Sequence, residues 1–405
     1  MKILFVTPFL PSPPRFGAER RLDGLARQLA LRHEVSLLWF NADHAPIPAT
    51  LAERHPYCRE VSTTPIRPSK ASDRRWLQLR SLASTQSFEA LQTARRTDFQ
   101  QALDRMLQAQ RYDVVQFESA QLANFSFVKH PGESPVFVLD EHNIEHDLLR
   151  RTANAARSPL RRAYGALNWR KIRREERAAW QRFDGVALTS ARDQAQLLRE
   201  VPKCVTSVVP NGVDLAAFPA ALGDGEPGVL LFFGALNYFP NQHGLLQFID
   251  QILPEIIRRN PHVTLHVVGP GAPESIRRRQ GPGVRIVGEV EDISPYLERA
   301  AAVVVPVQIG GGTRLKIIEA LAKGRPVIST TVGAEGLNVV NERHLLLADR
   351  PDDFARQVAR VLDSRELATR LGTAGRRLVQ EHYDWRQIAS DLEQFYVRLR
   401  ATSAA

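Results

Sequence analysis

Cysteine is scarce in this sequence: Cys58 and Cys204 are the only two in 405 residues. Neither has the spacing of a metal site or a redox dithiol, so a disulfide scaffold is excluded and a reducing, cytoplasmic setting is expected. No apolar run is long enough to span a bilayer. The opening residues Met1 to Pro8 have too short an apolar part for a signal peptide and read as a first strand. Solenoid-period repeats and low-complexity tracts are absent. The sequence has no Asp-x-Asp triplet, so the usual carboxylate pair that holds a divalent ion on a diphosphate is missing. The Gly-x-Gly-x-x-Gly fingerprint is also missing: Pro8-Phe9-Leu10-Pro11 follows the first strand, and Gly269-Pro270-Gly271 comes late without a third glycine. That argues against a nicotinamide-dependent oxidoreductase.

What is present is a globular composition, 43% hydrophobic, with a net charge of +10 from 54 basic and 44 acidic residues. The length suggests two or three domains with ample core. The charge implies an anionic partner, whether a nucleotide, a phospholipid surface or nucleic acid, or else a surface rich in arginine for solubility. Without a zinc pattern or an aromatic-basic strand motif, nucleic acid has only the charge in its favour.

Short apolar runs alternate with helix-length segments. One set is Ile3–Val6, Val35–Phe40, Val114–Phe117, Val136–Leu139, Val186–Thr189 and Val205–Val209. A second set is Val229–Phe233, Val263–Val268, Val284–Val287, Val303–Val307, Val327–Thr330 and Leu345–Leu347. Buried parallel strands look like this, so the expected class is α/β with two doubly wound, Rossmann-like sheets. The break lies between Pro210 and Gly228, with Gly223 to Gly228 as a loop. Ligands of open α/β sheets bind at the carboxyl ends of the strands, so two such domains are expected to face a central cleft. Trp385 to Arg400 carries Ile388, Leu392, Phe395, Tyr396 and Leu399 at helical spacing and reads as an amphipathic helix packed on a domain.

Residues 147–182 hold eleven basic residues, Arg157 among them, with Tyr164, Trp169 and Trp180 interleaved. Two readings fit: a basic helix lying on anionic lipid, or a surface helix whose arginines pair with Glu175 and Glu176 while its tryptophans point inward.

The segment Gly310-Gly311-Gly312-Thr313-Arg314-Leu315-Lys316 to Ser329 follows an apolar run. Its glycines let the backbone approach a ligand, Thr313 is placed to cap a helix, and Gly324 with Pro326 stops it. Helix N-termini favour phosphate, Arg314 and Lys316 add cations, and Glu319 is placed to accept from sugar hydroxyls. The alternative for Glu319 is a helix-surface pairing with Lys316 or Lys323. Asp140-Glu141-His142-Asn143-Ile144-Glu145-His146 follows another strand, so it belongs at a sheet's carboxyl edge. There Asp140 either orients His142 or caps the next helix. Glu145 and His146 lack a third ligand for a metal.

Taken together and in order, these motifs resemble glycosyltransferase family 4, retaining enzymes of the GT-B fold. The resemblance rests on Phe16-Gly17-Ala18-Glu19-Arg20-Arg21, His142, Pro210-Asn211-Gly212-Val213-Asp214, Phe232-Phe233-Gly234-Ala235-Leu236, Val267-Val268-Gly269 and Gly310–Ser329. It covers nearly the whole chain. It implies an N-terminal domain of residues 1–215, completed by a C-terminal helix of residues 385–400, and a nucleotide-sugar domain of residues 216–384. It implies catalytic roles for His142, which contacts the transferred sugar, and Glu319, which binds the ribose. Donor binding falls to Gly17, Gly234, Gly311, Gly312, Thr313, Arg314, Leu315, Lys316 and Glu319. Glu19, Arg20 and Arg21 are placed on the acceptor side. Gly288-Glu289-Val290 resembles the loop that reads the base. The partners implied are a nucleotide diphosphate sugar as donor, a glycan or lipid-linked acceptor and an anionic membrane surface, with no cofactor, no metal and no nucleic acid. The protein is expected to be peripheral on the inner membrane face.

Two departures stand out. The family's two glutamates separated by seven residues are here Gly311 and Glu319, and its Arg and Lys after the first strand of the second domain are Ala235 and Pro240. The expectation is that Arg314 and Lys316 take over the diphosphate charge. The missing glutamate also keeps open a catalytically silent protein that binds a nucleotide sugar or glycan.

Overall fold

The computed structural model describes residues 1–8, 17–41, 56–65, 71–93, 96–128, 135–155, 158–221 and 223–403. Phe9-Leu10-Pro11, Phe16 of the opening motif and Arg157 lie outside the described residues. The chain divides into two compact units, Met1–Pro210 with Ile388–Ala405, and Asn211–Gln387.

The first unit holds a seven-stranded parallel sheet, in the order β3-β2-β1-β4-β5-β6-β7. Its strands are β1 Lys2–Thr7, β2 Glu34–Asn41, β3 Cys58–Pro65, β4 Val114–Glu118, β5 Val136–Glu141, β6 Gly185–Leu188 and β7 Thr206–Val208. The second unit repeats the plan with six strands, in the order β10-β9-β8-β11-β12-β13. They are β8 Glu226–Phe233, β9 Thr264–Val268, β10 Val284–Gly288, β11 Ala300–Val305, β12 Val327–Ser329 and β13 Leu346–Leu347. Both are doubly wound, Rossmann-like sheets, and the order reverses between β1 and β4 and again between β8 and β11, where such sheets open a crevice beyond their carboxyl ends.

The continuous apolar runs follow from burial on both faces. Along β8, Leu230 and Phe232 join one core cluster and Leu231 and Phe233 the other. Among the described residues, β3 is the strand with no apolar run in the sequence. It sits at the sheet edge, its Cys-Arg-Glu-Val-Ser-Thr-Thr-Pro is mostly polar and it ends on proline, as an edge strand tolerates. β8 also begins earlier than expected: Glu226 to Gly228, read as loop, are strand. A register shift against β11 between Ala300 and Ala302 makes room for Pro227.

Six helices matter below: α1 Gly17–Ala30, α2 Ala71–Ala83, α3 Glu145–Asn154, α4 Pro159–Arg182, α5 Leu315–Ala322 and α6 Trp385–Ser403. The basic stretch 147–182 is thus two helices. Ser158 caps α4 at the Arg161 N–H, with Pro159 in its first turn. Trp180 points inward and its indole donates to Glu141 Oε1 at 2.8 Å. Glu175 and Glu176 do not serve the arginines. Glu175 accepts from the Ser87 N–H at 2.7 Å, and Glu176 from the N–H groups of Glu145 at 2.7 Å and His146 at 3.0 Å. These acids tie helix ends together, and Arg173 turns instead to Glu200 at 3.0 Å. On α6, Ile388, Leu392, Phe395, Tyr396 and Leu399 are all buried. Among the described residues no helix is long and apolar enough to cross a membrane.

Candidate active site

In the second unit, three neighbouring strands end in glycine. Gly234 after β8, Gly269 after β9 and Gly288 in β10 have φ of 136°, 146° and 89°. The Gly234 N–H donates to the Val268 carbonyl at 3.0 Å and the Gly269 N–H to the Gly288 carbonyl at 2.7 Å. A Cβ on Gly269 would stand 2.0 Å from the Gly234 oxygen. Glycine lets these strand ends close together at the crevice edge.

The Gly310–Gly312 loop leaves β11, the strand beside β8 across the order reversal, and leads into α5. Gly312 has φ 64°. Thr313 is not the helix cap. Arg314 holds the cap position without a side-chain bond, and the Thr313 hydroxyl accepts from Asn211 Nδ2 at 2.8 Å. Arg314 folds back on its own loop, donating to the carbonyls of Gly311 and Gly312. It fills the space a side chain at Gly310 would need. Its guanidinium braces the glycine turn.

Lys316 takes a different path. Its Nζ donates to Asn241 Oδ1 at 2.9 Å and lies 4.5 Å from the Phe232 ring centroid. The Asn241 amide is oriented by the Ala235 carbonyl, to which its Nδ2 donates at 2.8 Å. A Cβ on Gly234 would meet this ammonium at 2.9 Å. So the α5 lysine delivers its charge into the loop after β8, where Ala235 and Pro240 supply none. Burial and the Arg314 charge bring its pKa down to about 7, against the pull of Glu319. Glu319, three residues on, is 5% exposed and so is no helix-surface residue. Lys323, its other expected helix partner, reaches Glu298 at 2.9 Å. Leu315 is buried in the core.

In the first unit, His142 Nε2 lies 2.7 Å from Glu118 Oε2 and 3.6 Å from Asp140 Oδ2. Glu118 ends β4, and Asp140 is the penultimate residue of β5. Arg21 of α1 grips Asp140 with both prongs, Nε to Oδ2 at 2.7 Å and Nη2 to Oδ1 at 2.8 Å, and donates to the Pro210 carbonyl at 3.0 Å. Behind Glu118, Gln116 Nε2 donates to Oε1 at 2.8 Å, and the Tyr396 hydroxyl of α6 donates to Gln116 Oε1 at 2.5 Å. Burial alone would lower the His142 pKa, but hydrogen bonds and charge from Asp140 and Glu118 raise it to about 9. Burial pushes Asp140 up, yet Arg21 holds it well below the usual carboxylate range. Burial and the Asp140 charge push Glu118 up. The ring is therefore an imidazolium at neutral pH, held by two carboxylates.

Arg21, expected on the acceptor side, is only 1% exposed, and its guanidinium is spent on Asp140 and Pro210. This revises its role to a brace behind His142. Of its neighbours, Glu19 is buried, Arg20 is half-buried and Gly17 is exposed at the start of α1. Asp140 orients rather than caps. Glu118, Asp140 and His142 offer atoms within 4.8 Å of one another, a spacing that suits metal ligands, but both Asp140 oxygens already serve Arg21. Sequence reading missed Glu118, Gln116, Asn241 and Tyr396 as site residues. For Glu118 a signal existed, a carboxylate closing a central strand at its carboxyl end. The polar Asn241 and Gln116 gave none.

Two family descriptions cover the chain in turn. Glycosyltransferase Family 4 matches residues 17–217, and Glycosyl transferases group 1 matches residues 227–364. Phosphatidyl-myo-inositol mannosyltransferase of Mycobacterium tuberculosis is 30% identical over 211 residues, 48% of this chain and 55% of that protein. Glycogen synthase of the same organism is 28% identical over 203 residues, 47% and 48% of the two chains. The chain thus spans about half the length of the curated relatives it matches. Among solved structures, sucrose-phosphate synthase from Thermosynechococcus elongatus aligns with a TM-score of 0.75 at 21% identity, over 99% of this chain and 100% of that one. Anabaena HepE in complex with UDP and glucose aligns with a TM-score of 0.69 at 17% identity, over 98% and 100%. At such identities the likeness is one of fold. With the sheet orders, the glycine-ended strands and both family matches in agreement, the chain belongs to glycosyltransferase family 4, with the GT-B fold.

Proposed function

We propose that the chain is a retaining, metal-independent glycosyltransferase that moves a sugar from a nucleotide diphosphate sugar to a glycan or lipid-linked acceptor in cell-surface polysaccharide biosynthesis. The observation that carries this reading is the Lys316 ammonium, set against Gly234 at the carboxyl edge of the second sheet. A departing diphosphate gathers negative charge in the transition state, and a preorganised cation stabilises it. Arg314 adds charge nearby while shaping the loop, the N–H groups of Gly311, Gly312 and Thr313 serve phosphate and sugar, and Glu319 takes the ribose hydroxyls. In the retaining path the leaving phosphate removes the acceptor proton on the same face of the sugar, so the protein supplies no base. His142, as a cation, serves the transferred sugar from the first unit, and Gly17 allows α1 to approach the donor. Further support comes from Anabaena HepE, crystallised with UDP and glucose, and from a relative named for a phosphatidyl-inositol acceptor. Gly311 in place of the family's first glutamate favours the silent alternative, in which donor binds but is never cleaved.

The test is calorimetric titration with UDP, GDP, ADP and dTDP. One nucleotide is expected to bind selectively, and Glu319→Ala to abolish it. Because free Lys316 titrates near 7, a diphosphate that requires the ammonium must draw in a proton at pH 8. Wild type should therefore show buffer-dependent heats of proton uptake that vanish in Lys316→Met. Binding of no nucleotide would sink the reading, and equal proton uptake in the variant would remove Lys316 from it. Donor hydrolysis without acceptor separates an enzyme from a silent binder.

A further inference from the structure

Helix α2 is inside out. On an α-helix, residues four apart share a face, and the buried pair Leu77 and Ser81 marks the inner face of α2. At 100° per residue, Trp76, Leu79 and Leu82 point the opposite way. They are exposed there, Trp76 at 52% and Leu79 at 66%. An ordinary surface helix turns polar residues outward. The neighbouring α4 adds exposed Leu160, at 82%, and Leu167, one heptad apart. The two helices are joined: the Ser81 and Tyr164 hydroxyls lie 3.3 Å apart, Lys171 donates to the Ser81 carbonyl, and Arg174 donates to the Thr85 carbonyl.

Charge on this surface is predominantly basic. Residues 71–85 and 158–174 contain nine basic residues and one acid, Asp73. Arg75, Arg80, Arg161, Arg162, Arg170 and Arg174 are exposed. The Arg80 guanidinium sits 5.5 Å from the Trp76 ring centroid, and that of Arg170 4.8 Å from the Trp169 ring centroid.

We propose that the α2–α4 surface of the first unit docks on an anionic lipid bilayer, with Trp76, Leu79, Leu82 and Leu160 entering the headgroup layer and the arginines pairing with lipid phosphates. The inference deepens the proposed function by naming the surface that would bring a lipid-linked acceptor within reach. Interfacial helices bind by such a combination of apolar area and basic charge. A second copy of the chain is the weaker occupant, because a two-fold interface sets the same patch against itself and would press like charges together. The earlier choice, lipid or inward tryptophans along 147–182, turns out not to be exclusive. Trp180 does point inward, while the outward apolar residues come mainly from α2, a helix the sequence had not singled out.

The experiment is co-sedimentation of the full chain with mixed phosphatidylglycerol–phosphatidylcholine vesicles at low salt, beside pure phosphatidylcholine. Three variant pairs are compared: Trp76→Ser with Leu79→Gln, Arg161→Glu with Arg162→Glu, and Arg258→Glu with Arg278→Glu as an exposed control in the second unit. All six side chains are exposed, so folding is expected to survive. Wild type should prefer the anionic vesicles. Either α2–α4 pair should weaken that binding by roughly tenfold or more, with the control unchanged. The proposal is overturned if wild type ignores anionic vesicles, if the control pair is equally damaging, or if the apolar pair has no effect. A dimer in sedimentation equilibrium that Leu79→Gln dissociates would overturn it in favour of self-association. Nucleotide titration of wild type keeps the two readings apart. Absent vesicle binding with intact nucleotide binding defeats only the docking surface, and vesicle binding without nucleotide binding defeats only the donor site.

Discussion

Residue by residue, the site depends on which groups are allowed to stay charged. His142 faces Glu118 and Asp140, with Glu141 and Glu145 beyond and Arg21 behind Asp140. Its folded pKa of about 9 exceeds the ordinary value of 6.5, so the folded protein holds the proton more tightly. That contribution to stability is complete below about pH 6.5 and is lost as pH rises through about 9. The urea midpoint advantage of wild type over His142→Gln should shrink across that window, and an advantage independent of pH would contradict the arrangement. Glu118→Gln removes the nearer anion while keeping the shape. NMR titration should then find the His142 ring losing its proton at least about one pH unit earlier. This pairing was only half legible in the sequence. His142 and Asp140 stand two residues apart, but Glu118 and Arg21 come from distant strands and helices, and only the fold order β1-β4-β5 makes them neighbours.

The elements were legible where burial imposed a pattern. Twelve apolar runs mark twelve of the thirteen strands among the described residues, because a strand covered on both faces has to be apolar throughout. The thirteenth, β3, escaped because an edge strand carries no such demand. Helix ends were less legible. Thr313 has the right chemistry for a cap, yet its hydroxyl is drawn to Asn211 by tertiary packing. The glycine-ended strands make a testable point at this scale. Gly269→Ala places a Cβ 2.0 Å from the Gly234 carbonyl at a φ of 146°. Backbone strain alone is worth about 1–3 kcal/mol, and separating β8 from β9 adds to it. Urea unfolding of the second unit should shift by at least that amount, and a variant as stable as wild type would mean the strand ends are not so closely joined.

At the scale of the whole molecule, the first unit is not continuous in sequence. Its last piece, Ile388 onward, returns after all of the second unit. There Phe395 and Leu399 press against Gly185, where a Cβ would meet them at 2.6 and 2.7 Å. Ile388, Leu392, Phe395, Tyr396 and Leu399 each contribute about 1.5–3 kcal/mol by burial, a sum comparable to the roughly 5–15 kcal/mol that holds an ordinary domain folded. Ending the chain at Gln387 should therefore abolish the cooperative unfolding of the first unit. Tryptophan fluorescence can follow it, since Trp39, Trp76, Trp169 and Trp180 all lie there. A cooperative transition persisting in the shortened chain would show that α6 is dispensable.

The same discontinuity sets a timetable for synthesis. At roughly 5–20 residues per second, a ribosome needs about ten to forty seconds to travel from Pro210 to Ile388. Throughout that interval the nascent first sheet is waiting for its final helix, with the slot for Phe395 open and Gln116 lacking its tyrosine. The second unit, encoded in one piece, meets no such delay and can fold first although it is made later.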